Sequence, residues 1–150
     1  MKLKLPPVAV ALIFAGLMYV VARFLPFGDF DFFGRRYLMF VLLALAACIG
    51  VFALLQFFRA KTTIDPTSPV KATTLVTGGL YNFSRNPMYL GLLLLLLALG
   101  TWLGNAFNTL LAAGFVAYMN RFQIIPEEEA LRSLFGKEYQ QYCIKVRRWF

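Results

Sequence analysis

Residues 37–58 read YLMFVLLALAACIGVFALLQFF, and this stretch decides what kind of fold the chain can adopt. It carries no charged side chain, and as a helix rising 1.5 Å per residue it is about 33 Å long, enough to cross the ~30 Å hydrocarbon core of a bilayer. A helix that is apolar on every face has no side to offer water. Gly50, with alanines before and after it, leaves room for a second helix to approach closely.

Working outward, the preceding loop Pro26–Arg36 contains Gly28, Asp29, Asp31 and Gly34, and its phenylalanines are expected at the headgroup level. Before it, Val8–Leu25 is apolar except for Arg23 near its end. Lys2 and Lys4 give this start the look of a signal peptide, but Arg23 and Pro26 stand where a small-residue cleavage site belongs, so a retained transmembrane helix is expected. On the other side, Arg59 and Lys61 close the long run, and Pro66 and Pro69 make Thr62–Lys71 a linker. Met88–Leu103 is a third apolar run in which Leu92–Leu97 is all leucine. A short turn at Gly104-Asn105 leads to a fourth run ending near Ile125, so the two should form an antiparallel hairpin.

The composition agrees. Of 150 residues, 60% are hydrophobic and 15% charged, which leaves too little polar surface to cover a water-soluble domain. The expected fold is all-α: a polytopic membrane protein with four transmembrane helices and C-terminal cytoplasmic helices, in a single domain over residues 1–150. A net charge of +8 follows from topology and calls for no nucleic acid. Lys2, Lys4, Arg59, Lys61, Lys71, Arg85 and the basic residues from Arg121 onward fall on one side, with only Arg23, Arg35 and Arg36 on the other. Both termini and the loop before the third run are therefore expected on the cytoplasmic side. The chain has no histidine, which excludes imidazole bases, Ser-His-Asp and Cys-His pairs, histidine zinc sites and histidine-held haem. Cys48 and Cys143 have no metal or disulfide spacing and read as small packing residues; no metal site is expected.

Polar chemistry gathers in two places. The first is Thr73–Tyr89, TTLVTGGLYNFSRNPMY, the longest weakly apolar and turn-rich segment. Gly78-Gly79 permits positive φ and close approach to backbone N–H groups, and Asn86-Pro87 reads as an N-cap followed by a first-turn proline. Two readings fit: a tight loop that starts a helix, or a polar pocket opening onto one. The second is the end of the fourth run, where Asn108, Asn120, Arg121 and Gln123 must face protein, water or a ligand, with Arg121 also suited to snorkelling. Pro126-Glu127-Glu128-Glu129 then starts a new helix, its acids favoured by the N-terminal dipole. Leu131, Leu134 and Phe135 share one face, Gly136 can end the helix as a left-handed cap, and Lys137–Val146 continues it with Tyr139, Tyr142 and Val146 inward. Arg147, Arg148, Trp149 and Phe150 have the composition of a membrane-surface anchor.

Leu75-Val76-Thr77-Gly78-Gly79-Leu80-Tyr81, Arg85-Asn86-Pro87-Met88-Tyr89, and Glu127-Glu128 with Leu131, Phe135-Gly136, Glu138-Tyr139 and Tyr142 together resemble the isoprenylcysteine carboxyl methyltransferase and phospholipid methyltransferase group. The resemblance implies a multi-span membrane enzyme that transfers a methyl group from S-adenosylmethionine to an apolar or amphiphilic acceptor. It also implies a cofactor site lined by Thr73, Thr74, Leu75, Val76, Tyr81, Asn86, Pro87, Met88 and Tyr89, with Glu127 as the acid that contacts the cofactor. Asn86 stands where the prenylcysteine enzymes usually have histidine. The arginine those enzymes use for a substrate carboxylate falls on Gln123, with Arg121 two residues away, so these two are the substrate candidates; no catalytic residue is assigned. Two other readings are a nicotinamide-dependent membrane reductase, whose C-terminal cofactor region is similar, and a non-catalytic membrane scaffold.

Overall fold

The computed structural model describes residues 5–59 and 74–150. Thr73 and the expected linker Thr62–Lys71 lie outside the described residues. Helix α1 spans Pro7–Phe24 and α2 spans Arg35–Arg59. A 3₁₀ turn at Gly79–Asn82 precedes α3, Pro87–Leu103, which is followed by α4, Asn108–Met119, and α5, Ile125–Lys145. No strand occurs among the described residues beyond an isolated bridge between Asp29 and Asn105, so the all-α expectation holds. Proline opens α1 and α3 at a position where its missing N–H costs nothing.

Two helices, α1 and α2 as far as Gln56, are long and apolar enough to cross a membrane. Their large side chains, among them Leu12, Tyr19, Phe40, Val41 and Phe52, point away from the protein and are exposed. A continuous apolar face of this kind would associate in water but suits a hydrocarbon solvent.

The third helix organises the packing. One side of α3 lies along α2, and Gly91 is what permits the approach: a Cβ there would stand 3.5 Å from the Ala46 carbonyl and 3.7 Å from the Gly50 nitrogen. The room expected at Gly50 is thus filled by α3. Its other side meets α1 and α4 in a cluster of Val10, Met18, Leu96, Ala112, Phe115 and Met119. Phe14 meets Phe115 edge to face there, centroids 5.7 Å apart.

At the far end of α3 from the site, Gly104 takes the left-handed conformation that stops the helix, φ 68° and ψ 32°. The α1–α2 and α3–α4 connections then lock together. Phe30 N–H donates to the Gly104 carbonyl and Ala106 N–H to the Gly28 carbonyl, both at 2.8 Å. The buried Asn105 amide donates to the Leu25 carbonyl at 2.7 Å and to Asp29 Oδ1 at 3.2 Å, while its Oδ1 accepts Phe107 N–H at 3.0 Å.

Two local expectations are corrected. The fourth run does not end before Pro126; α4 passes into α5 through a single π turn, Asn120–Ile124, in which Ile125 N–H donates to the Asn120 carbonyl. Proline without an N–H must break one bond of a regular ladder, and a π turn just ahead of it carries the chain through without a loop. Gly136 does interrupt the last helix, but at φ 50° and ψ −118° it makes a kink rather than a left-handed cap. Leu131 and Phe135 pack inward against Tyr139, Tyr142 and Val146, whereas Leu134 is exposed.

Candidate functional site

The start of α3 and the start of α5 meet. Tyr89, in the first turn of α3, donates its hydroxyl to Glu127 Oε1 at 2.5 Å, and no cation pairs with Glu127 among the described residues. Burial pushes the Glu127 carboxyl up to about 8; the Tyr89 hydrogen bond pulls the other way, and the neighbouring Glu128 charge adds to the rise. A carboxyl in that condition gains much from a cation brought beside it.

The next residue faces elsewhere. Glu128 is buried and accepts Arg85 Nη2 at 3.0 Å, Arg148 Nε at 3.0 Å and Arg148 Nη2 at 2.7 Å. This pairing holds the Arg148 guanidinium above its usual value. The arginine Nε of Arg85 is buried without a hydrogen-bond partner. Two successive acids of one helix turn thus have different surroundings, one neutralised twice and one not at all.

The loop ahead of α3 is held on three sides. Gln56 of α2 grips the glycine turn, donating Nε2–H to the Gly78 carbonyl at 3.0 Å and accepting Leu80 N–H at 3.2 Å. Gly79 has φ 59°, and a Cβ there would collide with the Gln56 amide. The turn's glycines therefore serve an internal latch. Tyr142 from α5 donates its hydroxyl to the Tyr81 carbonyl at 2.6 Å. Burial raises the hydroxyl pKa of Tyr81, Tyr139 and Tyr142, so all three stay neutral.

The C-terminal residues supply the third side, and here the anchor expectation is corrected for Arg148 and Trp149, while the side chains of Arg147 and Phe150 are exposed. The Arg147 carbonyl accepts Arg85 N–H at 3.0 Å, and the Arg148 carbonyl accepts Asn86 Nδ2–H at 2.9 Å and the Ser84 hydroxyl at 3.4 Å. Trp149 packs on the core and donates its indole N–H to Asn120 Oδ1 at 3.0 Å. Cationic and aromatic residues suit a lipid surface, but a buried carboxylate within reach gives the cation a stronger partner. Asn86 occupies the N-cap position as expected, yet its side chain spans to Arg148 instead of capping the helix.

The predicted site residues fall as follows. Thr74 is exposed at the edge; Leu75 and Val76 are half-buried against the Tyr81, Tyr139 and Tyr142 cluster. Pro87 and Tyr89 are buried, and Met88 packs against both apolar clusters, which makes the α3 start the junction between them. Gln123 is buried in the π turn, its side-chain amide toward the Tyr89 hydroxyl and its Nε2 without a hydrogen-bond partner. Arg121 lies on the same turn but is exposed. Sequence reasoning gave no role to Gln56 or Ser84 and read Arg148 as part of a membrane-surface anchor. A run of three glutamates, Glu127–Glu129, and the pair Arg147-Arg148 in the last quarter of the chain are a visible signal of charge pairing, though not of which residues meet.

The family model for phospholipid methyltransferases matches residues 35–138, and the chain belongs to that family. A protein-S-isoprenylcysteine O-methyltransferase from Schizosaccharomyces pombe is 33% identical over 103 residues, covering 66% of this chain and 44% of the yeast protein. An uncharacterised protein from Haemophilus influenzae is 53% identical over 62 residues, 41% of this chain and 98% of that protein. The chain thus matches less than half the length of the yeast enzyme. No solved structure matches it.

Proposed function

We propose that this protein is a membrane methyltransferase that takes its methyl group from S-adenosylmethionine and gives it to an apolar or amphiphilic acceptor entering from the bilayer. The observation that carries this reading is the 2.5 Å contact between Tyr89 and Glu127, which joins the two motif regions around a half-buried carboxyl that has no cation of its own among the described residues. The donor is a cation at both its sulfonium and its ammonium, so the residues present fit it. Glu127 would hold the positive charge, the rings of Tyr81 and Tyr89 would add cation–π attraction of ~0.5–2 kcal/mol, and the unpartnered Arg85 Nε–H would meet the methionyl carboxylate. Leu75, Val76, Asn86, Pro87 and Met88 complete this lining.

When bound, the sulfonium supplies an already activated methyl group that leaves by in-line displacement. The protein's tasks are then alignment and exclusion of water. Tyr89 fixes the Glu127 carboxyl by hydrogen bonding, and the packed Met88 and Tyr139 surroundings keep the region dry. Gln123, buried with its side-chain amide toward the Tyr89 hydroxyl, would hold a polar atom of the acceptor.

The topology we read is four spans, with α3 and α4 as a hairpin and both termini and the site on the cytoplasmic side. In its support, α3 is apolar throughout and the basic residues are unevenly divided. Calorimetric titration of the purified protein with S-adenosylhomocysteine tests the cofactor, and incubation with a labelled methyl donor and a lipid extract tests the reaction. Folded protein that gives no heat at high micromolar ligand and labels no lipid would refute the proposal.

A further inference from the structure

We propose that the C-terminal segment 146–150 is part of the methyl-donor site, with Arg148 as a positioning residue that acts through Glu128 to set Arg85 and the start of α3 against Glu127. This rests on the methyl-donor reading above. The family match ends at residue 138, so the segment lies outside the region by which the chain was assigned.

The chain turns back at Val146, which leaves the helix in an extended conformation, φ −123° and ψ 131°, and is buried. From there it touches both halves of the site. Its two carbonyls, those of Arg147 and Arg148, engage three consecutive residues of the loop before α3, namely Ser84, Arg85 and Asn86. Trp149 reaches the π turn that leads into Glu127 through Asn120. Arg148 itself spans both oxygens of Glu128, and one of those oxygens is shared with Arg85. A planar guanidinium making two parallel bonds fixes the direction of a carboxylate as well as its charge, which an ammonium cannot do.

Charge balance supports the same role. Arg85 and Arg148 both pair with Glu128, and without Arg148 the Glu128 charge next to Glu127 keeps one cationic partner in place of two. The Arg85 side chain would then be the sole partner for Glu128 among the described residues. It would be drawn toward the vacated oxygen and away from its present position, in which its Nε is buried and unpartnered.

The test is calorimetric titration with S-adenosylhomocysteine in detergent micelles, with the melting temperature of each variant recorded. Arg148→Gln should weaken binding by about tenfold or more, and Arg148→Lys, which keeps the charge but loses the paired geometry, should recover part of that loss. In a Glu128→Gln background, Arg148→Gln should add little further loss, because the residue it acts through is already neutral. Ile144→Ala, at an exposed residue outside the segment and outside these contacts, should bind as the native protein does.

If the native protein binds and Arg148→Gln binds within about twofold of it at an unchanged melting temperature, the role of Arg148 is refuted and the methyl-donor reading stands. A native protein that does not bind overturns both. Should Arg148→Gln fail to fold, trypsin cleavage of the native protein after Arg147 and Arg148 decides: bound S-adenosylhomocysteine should slow loss of the C-terminal residues by about fivefold or more, and equal rates would overturn the proposal.

Discussion

Replacing Glu127 with glutamine should change how stability depends on pH, and the direction is opposite to that of an ordinary surface carboxylate. Glu127 takes up its proton near pH 8 when folded and near 4.5 when unfolded, so between these values the folded protein binds more protons than the unfolded one. Stability from this group is complete below about pH 4.5 and is lost as pH rises to about 8. The full shift corresponds to roughly 5 kcal/mol at 1.36 kcal/mol per unit, an upper bound because water entering beside the ionised carboxylate reduces it.

Glutamine keeps the shape and can still accept the Tyr89 hydrogen bond, but it never ionises. Glu127→Gln should therefore match the native protein near pH 5 and exceed it at pH 8.5, by roughly 10 °C in melting temperature at 2–4 °C per kcal/mol. Thermal melts in micelles at half-unit pH steps measure this. Parallel pH profiles for the two proteins, or a native protein that gains stability from pH 5 to 8 while Glu127→Gln does not, would refute the account of a buried, uncompensated carboxyl. A bound cation should reverse the trend, so S-adenosylmethionine, with its sulfonium, is expected to stabilise the native protein most at the alkaline end, and S-adenosylhomocysteine, which lacks that charge, less.

Gly79→Ala should destabilise by about 1–3 kcal/mol, since the new methyl strikes Gln56 at a positive φ; a melt within 1 °C of native would show that the turn can relax. Gln123→Leu removes a buried amide that lies toward the Tyr89 hydroxyl, so methyl transfer to a lipid extract should fall while stability changes by no more than about 1 kcal/mol; undiminished labelling would remove Gln123 from the acceptor site. Asn105→Ala should cost about 2–3 kcal/mol by breaking three hydrogen bonds at the loop junction, measurable as an earlier melt with S-adenosylhomocysteine affinity unchanged.

Helix existence was legible because apolar runs bounded by Pro, Gly and Arg leave few alternatives: Val8–Leu25 became Pro7–Phe24, and Met88–Leu103 became Pro87–Leu103. The turn at Gly104-Asn105 was visible for the same reason. Hidden features depended on partners distant in the chain. Pro126 read as a fresh start because proline ends a regular ladder, and nothing local reveals that one π turn absorbs the mismatch. Arg148 read as a lipid anchor because composition cannot tell a headgroup from the Glu128 carboxylate twenty residues back. The Gly-Gly pair pointed to a tight approach, and the group that approaches is Gln56.

The junction around Asn105 sits at one end of α3 and Tyr89 near the other, about 22 Å away along the helix axis. It acts as the rivet of a pair of tongs. Helices fastened together there keep their spacing at that end, while the jaws are shut separately by Gln56, Tyr142 and the C-terminal carbonyls, so a substitution that loosens the rivet slackens the handles and leaves the grip in place.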